Sequence, residues 1–268
     1  MEPFRVHILG CGSALPTLKH FPSAQVVEVR GKLFLVDCGE GTQIQLRRSR
    51  LRFTKISAVF ITHLHGDHCL GLVGMLSTFG LLGRRAKLTL YAPVALESIL
   101  RQQLKAFCPD LQYEVAFVAV DTTQQGVVYE DRSLTVESVP LQHRLPCCGY
   151  LFREKPTRAQ RLGDDDSRPR SYAYCSDTRY MPTLHEQLQG VSTLYHESTY
   201  GEDNILLAEK YYHSTALQAA KVARDSGAGQ LLLGHYSSRY EDEDVLLQEA
   251  QQVFPNSRLT SELDVFDV

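Results

Sequence analysis

Four side chains able to bind a metal ion fall within six consecutive positions: His63, His65, Asp67 and His68, in the run His63-Leu64-His65-Gly66-Asp67-His68. Neutral imidazole and carboxylate are suitable ligands for zinc and related divalent cations. A turn at this point would direct His63 and His65 to one cation, and Asp67 and His68 to another. The apolar run Ala58 to Thr62 precedes them, so the ligands are expected at the carboxyl end of a buried strand. Four polar, ligand-type residues in such a place are hard to explain by packing.

A site for two metals needs ligands from elsewhere in the chain. His143, Asp177 and His235 each follow a strand-like segment by one to three residues: Leu134 to Pro140, Tyr172 to Cys175, and Gln230 to Gly234. All three could therefore converge on one rim, with the anionic Asp177 as a natural bridge. Two cations ~3.5–4 Å apart would activate water and clamp the oxygens of an in-line displacement, which suits phosphodiester hydrolysis.

The elements that must place these residues read as strands and short helices. Gln25 to Val29 and Lys32 to Val36 flank Arg30-Gly31 and suggest a hairpin. Thr42 stands where it would cap a helix over Gln43 to Arg48. Helices are expected at Leu70 to Leu82, Ala95 to Ala106, Ser214 to Arg224 and Asp244 to Val253, with strands between them. Strands in front, then strands alternating with helices, imply an α/β fold: a four-layer αββα sandwich of two mixed β-sheets, one domain over residues 1–268. Residues 155–170 carry two prolines and Asp164-Asp165-Asp166 without periodicity, and read as an exposed loop.

A net charge of −3 argues against a protein that grips nucleic acid with its whole surface. Local basic patches remain: Arg47, Arg48, Arg50, Arg52 and Lys55, then Arg84, Arg85 and Lys87. Seven scattered cysteines, with no Cys-x-x-Cys pair, read as small buried hydrophobes in a reducing compartment. No apolar run approaches the ~20 residues of a membrane span. The amino terminus lacks a basic, then apolar, leader, so a cytoplasmic location and no membrane contact are expected.

Three further stretches accompany the histidine run: Asp37-Cys38-Gly39-Glu40-Gly41-Thr42-Gln43; His196-Glu197-Ser198-Thr199-Tyr200, with His213-Ser214-Thr215-Ala216 after it; and Gly234-His235-Tyr236-Ser237-Ser238-Arg239-Tyr240. With them the chain resembles the metallo-β-lactamase superfamily and, within it, the ribonuclease Z family of transfer-RNA 3′-processing endonucleases. That resemblance implies two Zn²⁺ per chain, with Mn²⁺ as an alternative occupant. One would sit on His63, His65 and His143, the other on Asp67, His68 and His235, with Asp177 between them. It implies metal-activated hydroxide attack on precursor transfer RNA, leaving a 3′-OH and a 5′-phosphate. His213, charged by Glu197, would protonate the departing oxygen, while Asp67 would also orient or deprotonate the nucleophile. Asp37 would hold a ligand histidine from behind or cap its loop. Arg239, Arg84 and Arg85 would meet phosphates. His7, His20, His185 and His196 are given no role.

The resemblance also implies a homodimer and a long transfer-RNA-binding arm between the positions matching His143 and Asp177. Here those residues stand only 34 positions apart, leaving the 155–170 loop in the arm's place. Its Asp164-Asp165-Asp166 would repel phosphate. The main rival is a phosphodiesterase acting on small or cyclic diesters with the same site. A non-catalytic RNA-binding scaffold, and a thiol-ester or β-lactam hydrolase, are the other readings.

Overall fold

Side chains alternate across a strand, and here the alternation sorts apolar residues into two separate cores. In β1 (Phe4–Gly10), Phe4, Val6 and Ile8 enter one core while Leu9 enters the other. In β2 (Ala24–Val29) and β3 (Lys32–Val36), Val27, Val29, Phe34 and Val36 face the first core; Val26, Leu33 and Leu35 face the second. β4 (Ile56–Phe60) repeats this, with Ala58 and Phe60 on one side and Val59 on the other. A sheet buried on both faces must be covered on both, and that demand generates the layers.

The computed structural model describes residues 2–163 and 167–268. β1 to β4 continue through β5 (Leu88–Ala92) and β6 (Val115–Ala119). The second sheet is built from β7 (Gly126–Glu130), β8 (Leu134–Leu141), β9 (Cys147–Glu154), β10 (Ser171–Cys175), β11 (Thr193–Glu197), β12 (Gln230–Gly234) and β13 (Ser257–Leu259). The last strand, β14 (Val265–Asp267), returns to pair with β1, so the orders are β14-β1-β2-β3-β4-β5-β6 and β13-β12-β11-β10-β9-β8-β7. Both sheets mix parallel and antiparallel pairs. Helix Leu72–Leu81 covers the outer face of the first sheet with Leu72, Met75, Leu76 and Phe79, one stripe at helical spacing. Helix Ala216–Ser226 offers the second sheet mostly alanines, which let it lie close. The result is the four-layer αββα sandwich of two mixed sheets expected from the sequence.

Chain direction explains why one rim collects the chemistry. β3 and β4 run parallel, as do β10, β11 and β12; β8 and β10 are both antiparallel to β9 and so share a direction. Asp37, Thr62 to His63, His143, Asp177 and His235 all follow the carboxyl ends of these strands.

The helix expected over Leu70 to Leu82 runs over Leu72–Leu81, and a separate short helix, Gly66–Cys69, precedes it across Gly71. A Cβ on Gly71 would stand 2.1 Å from the Gly39 carbonyl oxygen, so the Asp37–Gly41 loop can press on the histidine turn only because that atom is missing. Thr42 is not a cap: its hydroxyl donates to the Gly39 carbonyl at 2.7 Å, and Gly41, at φ 83°, precedes the helix. Within 155–170, Thr157 and Gln160 form a reciprocal capping box that starts a short helix, Arg158–Leu162. The acidic run Asp164-Asp165-Asp166 lies outside the described residues.

Candidate active site

The turn after β4 brings His63, His65 and His68 close together, and distant loops complete two groups of ligand-type atoms. The first holds His63, His65 and His143 with Asp177; the second holds Asp67, His68 and His235. His65 Nδ1 lies 3.0 Å from both His63 Nε2 and His143 Nε2. The opposite nitrogens of those two rings are already committed. His143 Nδ1 donates to the Tyr212 carbonyl at 2.9 Å, and His63 Nδ1 meets the Thr62 hydroxyl at 3.0 Å, itself held by Asp37. These outward bonds leave the lone pairs on Nε2, so bare nitrogens converge on one point. Converging lone pairs repel one another unless a cation lies between them.

The second group is oriented in the same way. His68 Nδ1 donates to Asp37 Oδ2 at 2.7 Å, leaving a buried Nε2 with no hydrogen-bond partner. His235 Nδ1 meets the Thr199 hydroxyl at 2.9 Å. Asp177 divides itself between the groups. Its Oδ1 lies 3.2 Å from His68 Nε2 and 3.1 Å from His235 Nε2; its Oδ2 lies 3.6 Å from both His63 Nε2 and His143 Nε2. Asp67 Oδ2 stands 3.3 Å from His68 Nε2 and 3.4 Å from His235 Nε2. This donor set, imidazole and carboxylate with outward bonds fixing the rings, suits a divalent cation.

The electrostatics distinguish the two groups. Burial holds His65 and His143 at about 4 and lowers His63, so these imidazoles are neutral near pH 7 and lose no proton on binding a metal. Burial works against charging His68, yet Asp67, Asp177 and Asp37 outweigh it and hold its pKa well above the ordinary value. Burial of Asp177 is likewise outweighed, by His235, His68 and His63, and its carboxyl stays well below the usual range. Two of the loops pay in backbone strain, with Asp37 at φ 55° and His235 at φ 60°.

Beside the two groups stands a third arrangement. His213 Nδ1 is 2.8 Å from Glu197 Oε1, and the ring stacks 5.3 Å from that of His235. Burial would lower the His213 pKa, but Glu197 raises it to about 9. The imidazolium is therefore the form present at neutral pH, a proton donor at the edge of an open cavity of about 450 Å³.

A family model described as "Beta-lactamase superfamily domain" matches residues 32–236. The chain is 49% identical to a ribonuclease Z of Bacteroides fragilis (strain YCH46), covering 98% of each. It is 46% identical to a ribonuclease Z of Phocaeicola vulgatus, covering 98% of this chain and 96% of that one. The chain belongs to the ribonuclease Z family. Among solved structures, the human tRNase Z, short form, superposes with a TM-score of 0.80 at 26% identity, covering 98% of each chain. The alignment with the B. fragilis ribonuclease Z runs to 301 positions against 268 residues here, so that relative carries at least 33 residues without a counterpart in this chain.

Within this ribonuclease Z fold the three arginines assigned to phosphate fare differently. Arg84 is a correction. Its guanidinium is buried, donating to the carbonyls of Thr54, Ile56, Ala86 and Lys87, and lies between the Phe79 and Tyr113 rings. A cation so buried, with four of its five N–H groups committed to carbonyls, ties loops together and is out of reach of RNA. Arg85 is exposed but does not line the cavity. Arg239 lies beside the Tyr200 phenol, whose pKa burial raises and Arg239 lowers; Tyr200 lines the cavity. Arg84→Ala should cost about 3 kcal/mol of stability, since it strands buried carbonyls. Urea unfolding measures this, and a selective rise in KM for RNA with unchanged stability would contradict it.

Thr62, Thr199 and Tyr212 were not foreseen. The two hydroxyls and one carbonyl orient His63, His235 and His143, and no feature of residue type marks them. His20, given no role, joins Cys11 and Glu262 in a further buried group. There direct hydrogen bonds serve it: His20 Nδ1 lies 2.9 Å from Glu262 and Nε2 3.2 Å from Glu243. All seven cysteines are free.

Proposed function

We propose that this chain is a metal-dependent endoribonuclease that removes the 3′ trailer from precursor transfer RNA, leaving a 3′-OH on the transfer RNA and a 5′-phosphate on the trailer. The observation that carries the reading is the division of Asp177 between the two ligand groups, with the charged His213–Glu197 pair beside them. Its membership of the ribonuclease Z family supports the substrate. In this reading two zinc ions, or manganese, are held by His63, His65 and His143 and by Asp67, His68 and His235, with Asp177 shared. When bound, such cations lower the pKa of water and offset charge on the phosphate oxygens.

The chain's own residues do the rest. Asp67 orients the attacking water or takes its proton. His213 gives its proton to the departing 3′ oxygen, and Glu197 keeps that proton in place at neutral pH. Asp37, Thr199 and Tyr212 fix the rings of His68, His235 and His143, which a loosely held imidazole could not do for itself. The reading places the protein in the cytoplasm, as a homodimer. No helix among the described residues is long and apolar enough to cross a membrane.

A second reading follows from the residues this chain lacks beside its B. fragilis relative: the same site could act on small or cyclic phosphodiesters. Metal-loaded protein and an Asp67→Ala control, incubated with labelled precursor transfer RNA bearing a 3′ trailer, separate the two. A single cut after the acceptor stem, absent from the control, is expected. An intact RNA alongside hydrolysis of a small diester would favour the second reading.

A further inference from the structure

Three loops at the mouth of the cavity are laced together. His143 Nδ1 bonds the Tyr212 carbonyl at 2.9 Å, the Arg179 amide donates to the Gln142 carbonyl at 2.9 Å, and the Ser214 hydroxyl donates to the Thr178 carbonyl at 2.7 Å. Arg144 and Arg179 on two of the loops, and Lys210 at the end of the helix Ile205–Tyr211 that leads into the third, each lie beside a tyrosine. The Arg144 guanidinium lies 5.7 Å from the Tyr211 ring centre, Lys210 Nζ lies 5.2 Å from the same ring, and the Arg179 guanidinium lies 5.3 Å from the Tyr212 ring. Arg144 and Tyr211 line the cavity, and all three cations are exposed.

An aromatic face holds a cation without neutralising it, because the ring carries a quadrupole and no net charge. That distinguishes these three from Arg170 or Arg153, whose charges are met by Glu154 and Glu137. Among the described residues no carboxylate lies within ion-pair distance of Arg144, Arg179 or Lys210. Three unneutralised charges beside the site, on a chain of net charge −3, form a local field that an anionic strand would meet first. Tyr212 sits at φ 60° in the turn whose carbonyl aligns His143, so the rim shares the rigidity of the ligands.

Their position also selects a side of the substrate. Tyr211 stands two residues before His213, which in the reading above protonates the departing 3′ oxygen. The nucleotide carrying that oxygen belongs to the retained transfer RNA. We propose that Arg144, Lys210 and Arg179, held by Tyr211 and Tyr212, bind backbone phosphates of the strand on the 5′ side of the cut, at the end of the acceptor stem. This rests on the assignment of His213 as donor to the leaving oxygen.

The test is the salt dependence of kcat/KM for precursor transfer RNA. Neutralising one phosphate contact on a single strand changes the slope of log K against log salt by ~0.7, so the triple variant Arg144→Ala, Arg179→Ala, Lys210→Ala should flatten it by about two. Arg101→Ala removes a surface charge already paired with Glu97 and should leave the slope alone. RNA carrying a neutral methylphosphonate one to three linkages 5′ of the cut should lose the difference between wild type and triple variant; the same change in the trailer should keep it. Bis(p-nitrophenyl) phosphate, which has no neighbouring phosphate, should show a loss at least tenfold smaller than the RNA does. An unchanged slope in an enzyme that cuts the RNA would overturn the rim, and a methylphosphonate effect confined to the trailer would overturn its side. A wild-type protein that leaves the RNA intact would overturn the proposed function instead.

Discussion

Asp177→Asn should strip the protein of metal and lower kcat/KM for phosphodiester cleavage by ~10³-fold or more, a scale typical of losing metal-assisted charge stabilisation. Both oxygens of Asp177 are in use, one towards His68 and His235 and the other towards His63 and His143. Asparagine keeps one oxygen and turns an NH₂ towards the other pair of rings. Those rings have their lone pairs facing inward, so the amide would donate into the place a cation needs. The metal-free variant should therefore fold, and in thermal melts it should lack the rise in Tm expected of the wild type when a divalent cation such as zinc is added. Metal analysis by mass spectrometry gives the direct count: two per chain expected for the wild type, one or none for the variant. Equal metal content and equal activity in the two proteins would remove Asp177 from the centre of the site.

Glu197→Gln should be the next largest loss, about 10²–10⁴-fold in kcat, the range for removing a general acid. The sign follows from the largest opposing influences on His213. Burial lowers its pKa, and the Glu197 charge more than compensates, raising it to about 9. The proton is therefore present below that value and lost as pH rises through it. Without the carboxylate, burial is opposed only by the charges of Asp177 and Asp67, and the pKa should fall from about 9 towards or below the ordinary value of histidine. NMR titration of the His213 ring in metal-free protein reads this without any activity. The alkaline limb of the kcat profile should move to lower pH in the variant by at least one unit. The pair also stabilises the fold below about pH 6.5, a contribution that fades as pH climbs through about 9. A Glu197→Gln protein with an unmoved limb would mean that His213 is not the donor whose titration limits the rate.

The parts of this protein legible in its residues are those in which one local rule decides. The run from His63 to His68 packs four ligand-type residues into one turn, so no folding was needed to recognise it. The alternation in Phe4 to Leu9 or Lys32 to Val36 specifies which side chains share a face, and the two-sheet sandwich follows from the need to cover both faces. His143, Asp177 and His235 could be found because each stands just beyond a strand, and strands of shared direction end on one rim. Only the tertiary structure decided the remainder. Thr62, Thr199 and Tyr212 act through a hydroxyl or a backbone carbonyl, groups so common that composition cannot mark them. Arg84 and Arg144 are the same residue type, and it is Arg84 that stands in the basic stretch, with Arg85 and Lys87 beside it. One is buried among four carbonyls and the other stands at the mouth of the cavity, because burial depends on which distant loops arrive, a property of the whole chain's path and not of any window along it.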